Sequence, residues 1–272
     1  MRYRFASPVL LGCLLVACGP QDPPAPNVVT VVATDFGYEA PEQIPAGVTT
    51  VRMVNAGAEP HHTIIARLDA DRTVDDLLQE YGAENLFPEF VAYMGGPGEA
   101  MPGDTSSVTV ALEPGHYVLL CYVFSPDGAP HFTKGMLRRL EVVESEPQLA
   151  DEPTPDVTVV LADYAFGFSG PVPSGDVTFR VENAGPQVHD LVIVQTEPGK
   201  SVQEFLAWME AGGEGPPPGH VVSSITGMNA GHHVSFTAHL EPGEYTVLCW
   251  VPDVKDLRPH FMYGMMQQFT VS

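Results

Sequence analysis

Four residues that can bind a soft metal ion occur in the same order in both halves of the chain. The two sets are His61, Cys121, His131 and Met136, and then His189, Cys249, His260 and Met265. The first two pairs are 128 residues apart (189−61 and 249−121). The last two are 129 apart (260−131 and 265−136), because the second Cys-to-His loop is one residue longer. Two imidazoles, a thiolate and a thioether form a donor set in which copper exchanges single electrons. The pattern therefore predicts two equivalent metal sites with redox chemistry.

The segments around these residues repeat as well, and their composition is typical of β-structure. LEPGHYVLLC (112–121) corresponds to LEPGEYTVLC (240–249), within short β-branched runs separated by Gly, Pro, Asn and Asp. A chain of 272 residues can hold two domains that each bury a core. We therefore predict an all-β fold of two tandem Greek-key β-sandwich domains, residues 28–143 and 156–272. The predicted strands are 28–33, 48–54, 63–68, 107–112, 116–122 and 138–143, then 157–162, 177–182, 190–195, 234–239, 244–250 and 266–271.

One short helix is predicted to interrupt the strands of each half. Thr73 precedes Asp76 by three residues, as Ser201 precedes Glu204, so each hydroxyl can cap a helix while the acid returns a hydrogen bond. Between the halves, residues 144–155 (ESEPQLADEPTP) are acidic and Pro-rich and are predicted to be a linker.

The N-terminus has the features of a targeting segment. Two arginines precede an apolar run, residues 5–16, that is too short to span a bilayer. The run ends in Leu-Val-Ala-Cys (15–18), so residues 1–17 resemble a bacterial lipoprotein signal peptide. That resemblance implies cleavage before Cys18 and lipidation of Cys18, with the Pro-rich residues 18–27 as a tether. A plain secretory signal is the alternative. In either case we expect an extracytoplasmic protein, periplasmic or at the cell surface, and in the first case one anchored to a membrane by lipid.

The remaining cysteines support the metal interpretation. Without the leader, one thiol is left in each repeat, at equivalent positions. A free thiol in an oxidising compartment is a liability unless it is buried or bound to a metal. An inert buried cysteine is the alternative to a metal ligand.

The strong negative charge limits the possible partners. The whole chain carries −22, and removal of the leader with its two arginines leaves 10−34 = −24. Such a surface repels nucleic acid and anionic lipid, so no nucleic-acid partner is expected. The charge can steer the protein toward a basic face of a redox partner, or it can serve solubility alone.

Two motifs in each half resemble the plastocyanin-like cupredoxins, the blue copper family. In NAGAEPHHT (55–63) and NAGPQVHDL (183–191), a strand ends in Asn-Ala-Gly and a turn leads to a His. In residues 113–136 and 241–265, a Pro-Gly-x-Tyr strand leads to Cys, a loop, His and Met. The resemblance implies one copper per domain, two in total. The ligands would be His61, His131, Cys121 and axial Met136, and likewise His189, His260, Cys249 and axial Met265.

The chain also departs from simple cupredoxin carriers in two respects. Nine residues (122–130) and ten residues (250–259) separate the Cys from the next His, where carriers have only a few. The longer loop can return His131 to the metal or hold it elsewhere. Carriers often have Asn after the first ligand His, where this chain has His62 and Asp190.

The residues beside each Cys argue against turnover chemistry. Multicopper oxidases and copper nitrite reductases have a His next to the Cys, but Cys121 is followed by Tyr122 and Cys249 by Trp250, and no His-x-His occurs in the chain. We therefore expect an electron-transfer protein and not an enzyme, with a redox partner such as a cytochrome or a membrane electron-transfer complex.

Two alternative functions remain open. One is copper trafficking, and the other is an accessory or structural subunit of a membrane-bound redox complex. The residues that favour trafficking are sparse: His232, His233, Met228, Met262 and Met266.

Overall fold

The computed structural model describes residues 25–82, 85–144 and 150–272. The predicted signal peptide, Cys18, most of the tether and residues 145–149 of the linker lie outside this part of the chain. Among the described residues, no helix has the length and apolar character needed to cross a membrane.

The first half is a β-sandwich with one short helix, α1 (Val74–Glu80). Its strands are β1 (Asn27–Thr34), β2 (Gly37–Glu39), β3 (Gln43–Pro45), β4 (Gly47–Asn55), β5 (Ile64–Leu68), β6 (Val91–Tyr93), β7 (Thr105–Leu112), β8 (Gly115–Leu120) and β9 (Leu137–Val143). One sheet has the order β2-β1-β4-β7, and the other has the order β3-β9-β8-β5-β6. Alternation along β1 points Val29, Val31 and Ala33 into the core and leaves Val28 exposed.

The second half repeats this arrangement, with α2 (Val202–Glu210) as its helix. Its strands are β10 (Val157–Ala162), β11 (Ala165–Phe168), β12 (Gly175–Asn183), β13 (His189–Thr196), β14 (Gly219–Met228), β15 (His233–Leu240), β16 (Gly243–Leu248) and β17 (Met266–Val271). The two sheets have the orders β11-β10-β12-β15 and β14-β13-β16-β17. Val202 and Phe205 of α2 pack on Val192, Val194 and Leu248, so this helix covers the outer face of the second sheet.

The predicted all-β class with two sandwiches is confirmed, and each of the twelve predicted strands is present to within two residues at each end. The two capping boxes are also confirmed, because Thr73 and Asp76, and Ser201 and Glu204, exchange the expected hydrogen bonds. Five further strands were not predicted: β2, β3, β6, β11 and β14. Four of them have only three or four residues, too few to show an alternating pattern. In β14 the Ser, Thr and Gly residues interrupt the alternation of apolar and polar side chains.

The two sandwiches are joined with an internal two-fold symmetry. Their first sheets form one eight-stranded sheet in the order β11-β10-β12-β15-β7-β4-β1-β2, which places equivalent strands symmetrically about the β15/β7 junction. There Ser235 pairs with Thr109. Equivalent surfaces of the two domains therefore meet each other, as in an isologous dimer.

A second contact shows the same symmetry. Pro97 pairs with Ile225, its own equivalent in the repeat (225−97 = 128), and Met94 pairs with Met228. Backbone hydrogen bonds connect the domains here, from Thr226 N to Gly96 O (3.0 Å) and from Gly98 N to Ser224 O (3.2 Å). The domains are thus joined by the β15/β7 pairing within one sheet and by a short backbone ladder between residues 94–98 and β14.

The described end of the linker lies against the second domain. Ala150 is buried, and Glu152 accepts hydrogen bonds from Arg180 and from His233 Nε2. His233, one of the residues that favoured copper trafficking, is therefore engaged by the linker.

Candidate metal centres

Adjacent strands bring the first His and the Cys of each repeat to one end of the sandwich. In the first domain β5 and β8 are antiparallel neighbours, and Ile64 pairs with Leu120. His61 lies just before β5 and Cys121 just after β8, so both lie at the same edge. Because each strand is anchored in the core, the two side chains are positioned before any metal binds.

The long Cys-to-His loop folds back on itself and returns the second His to this edge. Phe124 pairs with Pro130, and His131 N donates to Val123 O (2.9 Å). His131 then begins a 3-10 turn (His131–Lys134), whose Phe132 N donates to Cys121 O (2.9 Å). Of the two possibilities left open by the loop length, the structure shows the return to the Cys.

In the first centre three potential ligand atoms converge. The Nδ1 atoms of His61 and His131 are 3.1 Å apart, and Cys121 Sγ is 3.6 Å from His131 Nδ1. All three residues are fully buried. Ligands of one ion, with metal–nitrogen bonds of about 2.0 Å and metal–sulfur bonds of about 2.3 Å, lie about 3–4 Å from each other. The spacing therefore suits a single shared ion.

Two carboxylates fix the protons of these imidazoles. His61 Nε2 is 3.1 Å from Asp35 Oδ1, and His131 Nε2 is 2.9 Å from Glu59 Oε2. A carboxylate accepts a hydrogen bond from Nε2–H, which leaves Nδ1 of a neutral ring as an acceptor. Two lone pairs that face each other at 3.1 Å need a cation between them. The donor set therefore fits a metal, and the carboxylates orient its ligands.

The second centre repeats the first at its ligands. The Nδ1 atoms of His189 and His260 are 3.0 Å apart, and Cys249 Sγ lies 3.8 and 3.5 Å from them. His189 Nε2 is bound by Asp163 at 2.9 Å, the counterpart of Asp35. Within the described part of the chain, these two His-Cys-His clusters are the groups of three or more His, Cys or acidic residues that can share an ion.

The surroundings of the Nε2 atom of the second His differ between the domains. His260 Nε2 is buried with no hydrogen-bond partner among the described residues, and Asp253 Oδ2 is 3.7 Å away. Gln187 occupies the position of Glu59, and Asp253 occupies that of Ser125 (187−59 = 253−125 = 128). Each centre therefore has one carboxylate near its second His, supplied from a different loop.

A buried asparagine holds the turn that leads to the first His. Asn55 donates to the carbonyl oxygens of Glu59 and Ala100, both at 2.9 Å, and accepts from Gly57 N at 2.9 Å. Gly57 is required because an added Cβ would lie 2.6 Å from His61 Nε2 and 2.4 Å from the Asp35 carboxylate. The Asn-Ala-Gly motif therefore has a structural role in placing this ligand.

An aromatic residue in the left-handed conformation lies against the second His of each centre. Phe36 (φ 62°) and Tyr164 (φ 65°) make edge contacts with the rings of His131 and His260, at centroid distances of 5.3 and 5.7 Å. A non-glycine residue at positive φ is strained, and such residues cluster at functional sites. Two equivalent cases in one chain indicate that this conformation serves the centres.

The predicted axial residues occupy equivalent buried positions. Met136 and Met265 are both fully buried. Met136 N donates to His131 O (3.1 Å), and Met136 O accepts from Cys121 N (3.3 Å). Met265 makes the same two bonds to His260 and Cys249. The main chain of each Met is thus tied to two members of its cluster.

The residue after the first His ties the loops together, as Asn does in carriers. His62 Nε2 accepts from Tyr122 N, and Asp190 Oδ1 accepts from Trp250 N, both at 2.8 Å. Burial lowers the pKa of His62 to about 3 and raises the pKa of Asp190 to about 6. The hydrogen bond is common to both domains, but the group that accepts it differs.

Burial also sets the protonation of the ligand groups. It lowers the pKa of His61 and His189, and that of His260 to about 4, so these rings are neutral and can bind a metal. It raises the pKa of the Cys121 thiol to about 11 and that of Cys249 well above the ordinary value. Both cysteines are free and make no disulfide. A metal must therefore displace a proton from each thiol.

The structure brings together the two His and the Cys predicted for each centre. Sequence reasoning missed the groups around them: Asp35, Glu59, Asp163, Asp253, Phe36 and Tyr164. The Asp-aromatic pairs at 35–36 and 163–164 repeat at an offset of 128, which was a usable signal. Glu59 and Asp253 are not matched in the other repeat, so comparison of the two halves could not reveal them.

Comparisons with known proteins give structural matches only. No family model and no curated protein matches the chain. A reduced auracyanin from the photosynthetic bacterium Roseiflexus castenholzii aligns with 44% of this chain and 99% of its own, at 23% identity and a TM-score of 0.32. Auracyanin A from Chloroflexus aurantiacus, described as a "blue" copper protein, aligns with 42% of this chain and 99% of its own, at 20% identity and a TM-score of 0.27. A multicopper oxidase aligns with 90% of this chain and 88% of its own, at 15% identity and a TM-score of 0.25.

The assignment of fold depends on the strand order, the internal repeat and the ligand clusters, not on these alignments. Each half has two packed sheets, with His and Cys at adjacent strand ends and a second His returned by the following loop. The donor set is the one in which copper transfers electrons. The chain therefore has a cupredoxin-like fold in two tandem copies, each with a His-Cys-His cluster suited to copper.

Proposed function

We propose that the protein carries single electrons with one copper in each domain. The observation that carries the proposal is the pair of Nδ1 atoms 3.1 Å apart at His61 and His131, repeated at 3.0 Å at His189 and His260. Each pair has a buried thiol beside it. Bound copper would supply reversible one-electron chemistry. His61, His131, Cys121 and Met136 would hold it in the first domain, and His189, His260, Cys249 and Met265 in the second.

The surrounding protein favours electron transfer over turnover. All six His and Cys side chains of the clusters are fully buried, so a substrate has no direct access to them. The carboxylates and the backbone hydrogen bonds between the ligand loops hold the ligands in place. This reduces the structural reorganisation that accompanies a change of charge on the metal. No His stands next to either Cys to pass electrons to a second cluster. The proposal therefore excludes an enzymatic role.

The place of action and the partners belong to the proposal as well. Residues 1–18 support export and lipidation of Cys18, and hence a periplasmic protein held at a membrane. The charge of −24 after leader removal (10−34) supports a redox partner with a basic face, such as a cytochrome or a membrane complex.

The test is the visible and EPR spectrum of the purified protein titrated with Cu(II), beside Cys121→Ser and Cys249→Ser. We expect an intense thiolate-to-copper band that saturates at two equivalents, and each substitution should remove about half of it. A reversible one-electron couple should accompany the band. A protein with neither band nor couple would contradict the proposal and favour a structural subunit of a redox complex.

A further inference from the structure

The backbone ladder between residues 94–98 and β14 continues beyond one of its ends but not beyond the other. At the first end Tyr93 N donates to Asn229 Oδ1 (2.6 Å), and Asn229 N donates to Tyr93 O (2.8 Å). The internal symmetry relates this pair to Val221 and Met101 at the second end (221−93 = 229−101 = 128). Within the described ranges no hydrogen bond joins Val221 to Met101. The second end of the ladder is therefore open.

The open end lies on the edge of a sheet. β14 is the first strand in the order β14-β13-β16-β17, and the first domain covers its outer side only along residues 224–228. Val221 pairs with Val194 as Tyr93 pairs with Ala66. The N–H and C=O of Val221 therefore point outward, as those of Tyr93 do. Such groups on a strand edge are a template for another extended chain.

A cleft of about 870 Å³ opens beside this edge. Val221 and Met101 line it, together with Trp208 and Met209 of α2. The side chains of Val221, Met101 and Met209 are exposed. Aromatic residues and Met are enriched where proteins bind one another, and grouped apolar side chains on a surface mark interaction sites. The cleft therefore combines an open strand edge with apolar side chains that a partner can cover.

The charge of the cleft indicates which segments fit it. Its acidic lining residues are Glu99 and Asp104, and in the part of the chain that the structure describes no Lys or Arg lines it. Two histidines, His220 and His239, also line it, and His239 is bound to two carboxylates. The chain as a whole carries −24 after leader removal (10−34). A basic segment is therefore attracted to the cleft, and an acidic one is repelled.

We propose that this cleft binds an extended, basic segment of a partner protein, which adds a strand to β14 at Val221. The segment would continue along the edge that residues 94–98 already cover, so the docking site is continuous with the contact between the domains. Main-chain hydrogen bonds would give affinity, and alternate apolar side chains would pack on Trp208 and Met209. The inference goes beyond the proposed function and does not require a metal.

The cleft also reaches the first centre. Pro60 and Ala100 line it. Pro60 precedes His61 in the chain, and Ala100 pairs with His61. A segment bound in the cleft would therefore hold its own protein close to the first domain's centre.

Calorimetric titration of the metal-free protein with the peptide Lys-Val-Lys-Val-Lys-Val tests the proposal. We expect one peptide to bind per protein. The same peptide methylated at every backbone nitrogen keeps its side chains and charges but cannot donate main-chain hydrogen bonds. It should bind about tenfold more weakly or worse, the usual effect of a lost hydrogen bond. The peptide Glu-Val-Glu-Val-Glu-Val should also bind more weakly, because its charge is repelled.

Two substitutions test the strand edge itself. Val221→Pro removes the N–H that faces the cleft, at an edge position where proline is tolerated. Met101→Asn places an amide where Asn229 lies in the symmetric contact, so the amide competes for the Val221 N–H. Each should weaken binding of the Lys-Val peptide about tenfold. Met262→Asn is the matched control, because Met262 is a methionine of similar exposure outside the cleft, and it should leave peptide binding unchanged.

Urea denaturation checks that each variant folds, and Met101→Asn carries the test alone if Val221→Pro does not. The absence of peptide binding would overturn the proposal, as would equal binding of the methylated peptide or equal binding by Met101→Asn. Light scattering of the protein without peptide gives its oligomeric state. Dimers of the wild-type protein that Met101→Asn converts to monomers would also overturn the proposal and would assign the cleft to a second copy of the chain.

Discussion

The Nδ1 atoms of His61 and His131 face each other at 3.1 Å in a site closed to solvent. In the neutral tautomers that donate from Nε2 to these carboxylates, both Nδ1 atoms are acceptors, so the rings do not hydrogen-bond to each other. Such an arrangement is unfavourable until a cation is shared. The centre is thus preorganised for a metal. Its metal affinity should depend on Asp35 and Glu59, the carboxylates that accept hydrogen bonds from the Nε2 atoms.

Asp35→Asn should weaken copper binding at the first centre about 10–100-fold, the usual effect of removing a group that orients a ligand. The amide can no longer fix the proton of His61 on Nε2 by its charge. Competition with a copper chelator measures the affinity. Asp163→Asn is the matched variant and should weaken the second centre alone. Equal affinities in the wild-type protein and in both variants would contradict the role given to these carboxylates.

Gly57→Ala should abolish ordered binding at the first centre and leave the second intact. The new Cβ would lie 2.6 Å from His61 Nε2 and 2.4 Å from Asp35 Oδ1, so the pair must separate. Copper stoichiometry should fall from two equivalents to one. Gly170→Ala is the control, because no atom lies within 4 Å of its added Cβ. Retention of two tightly bound coppers in Gly57→Ala would show that the turn can relax.

Asn183→Ala should reduce the free energy of unfolding of the metal-free protein by about 1–3 kcal/mol, the usual cost of buried groups left unsatisfied. The side chain donates to Gln187 O (2.7 Å) and Met228 O (2.8 Å) and accepts from Gly185 N (2.9 Å). Urea denaturation provides the measurement. Gln267→Ala, at an exposed strand position, should change the stability by about 0.5 kcal/mol or less. A loss no larger than in this control would exclude Asn183 as an organising residue.

Gly98→Ala should loosen the contact between the domains without removing either centre. Its added Cβ would lie 2.0 Å from Ser224 Oγ and 2.3 Å from Ser224 O, on the ladder that joins the two halves. Hydrogen exchange of the backbone amides at positions 98 and 226, which donate across this contact, should accelerate, while the copper band is unchanged. Slow exchange in the variant equal to that of the wild-type protein would show that the ladder tolerates a side chain.

The two centres should behave independently in these experiments. His61 pairs with Ala100, and His189 pairs with Met228, which in turn pairs with Met94. The hydrogen bonds of the His61 and His131 side chains go to Asp35 and Glu59, and that of His189 goes to Asp163, so each cluster is held by groups of its own domain. Effects at sites that share no partner usually add, so a substitution at one centre should leave the band of the other unchanged.

The amino-acid sequence by itself determined the repeat, the fold class, twelve strands, both helix caps and the two His-Cys-His clusters. These features depend on local alternation, on capping residues and on motifs that occur twice at a constant offset, and all three can be seen without coordinates. Met136 and Met265 were predicted in the same way, from their spacing after His131 and His260.

Only the tertiary structure decided what surrounds each centre and how the two halves meet. Glu59 and Asp253 approach their imidazoles from different loops, so neither is visible in a comparison of the repeats. The contact at Gly96 and Gly98 is made by backbone groups, which every residue type has. Only the requirement for glycine at these positions can be seen in the sequence. Contacts between residues far apart in the chain are set by packing of the whole domain, and sequence periodicity reports only on neighbours along the chain.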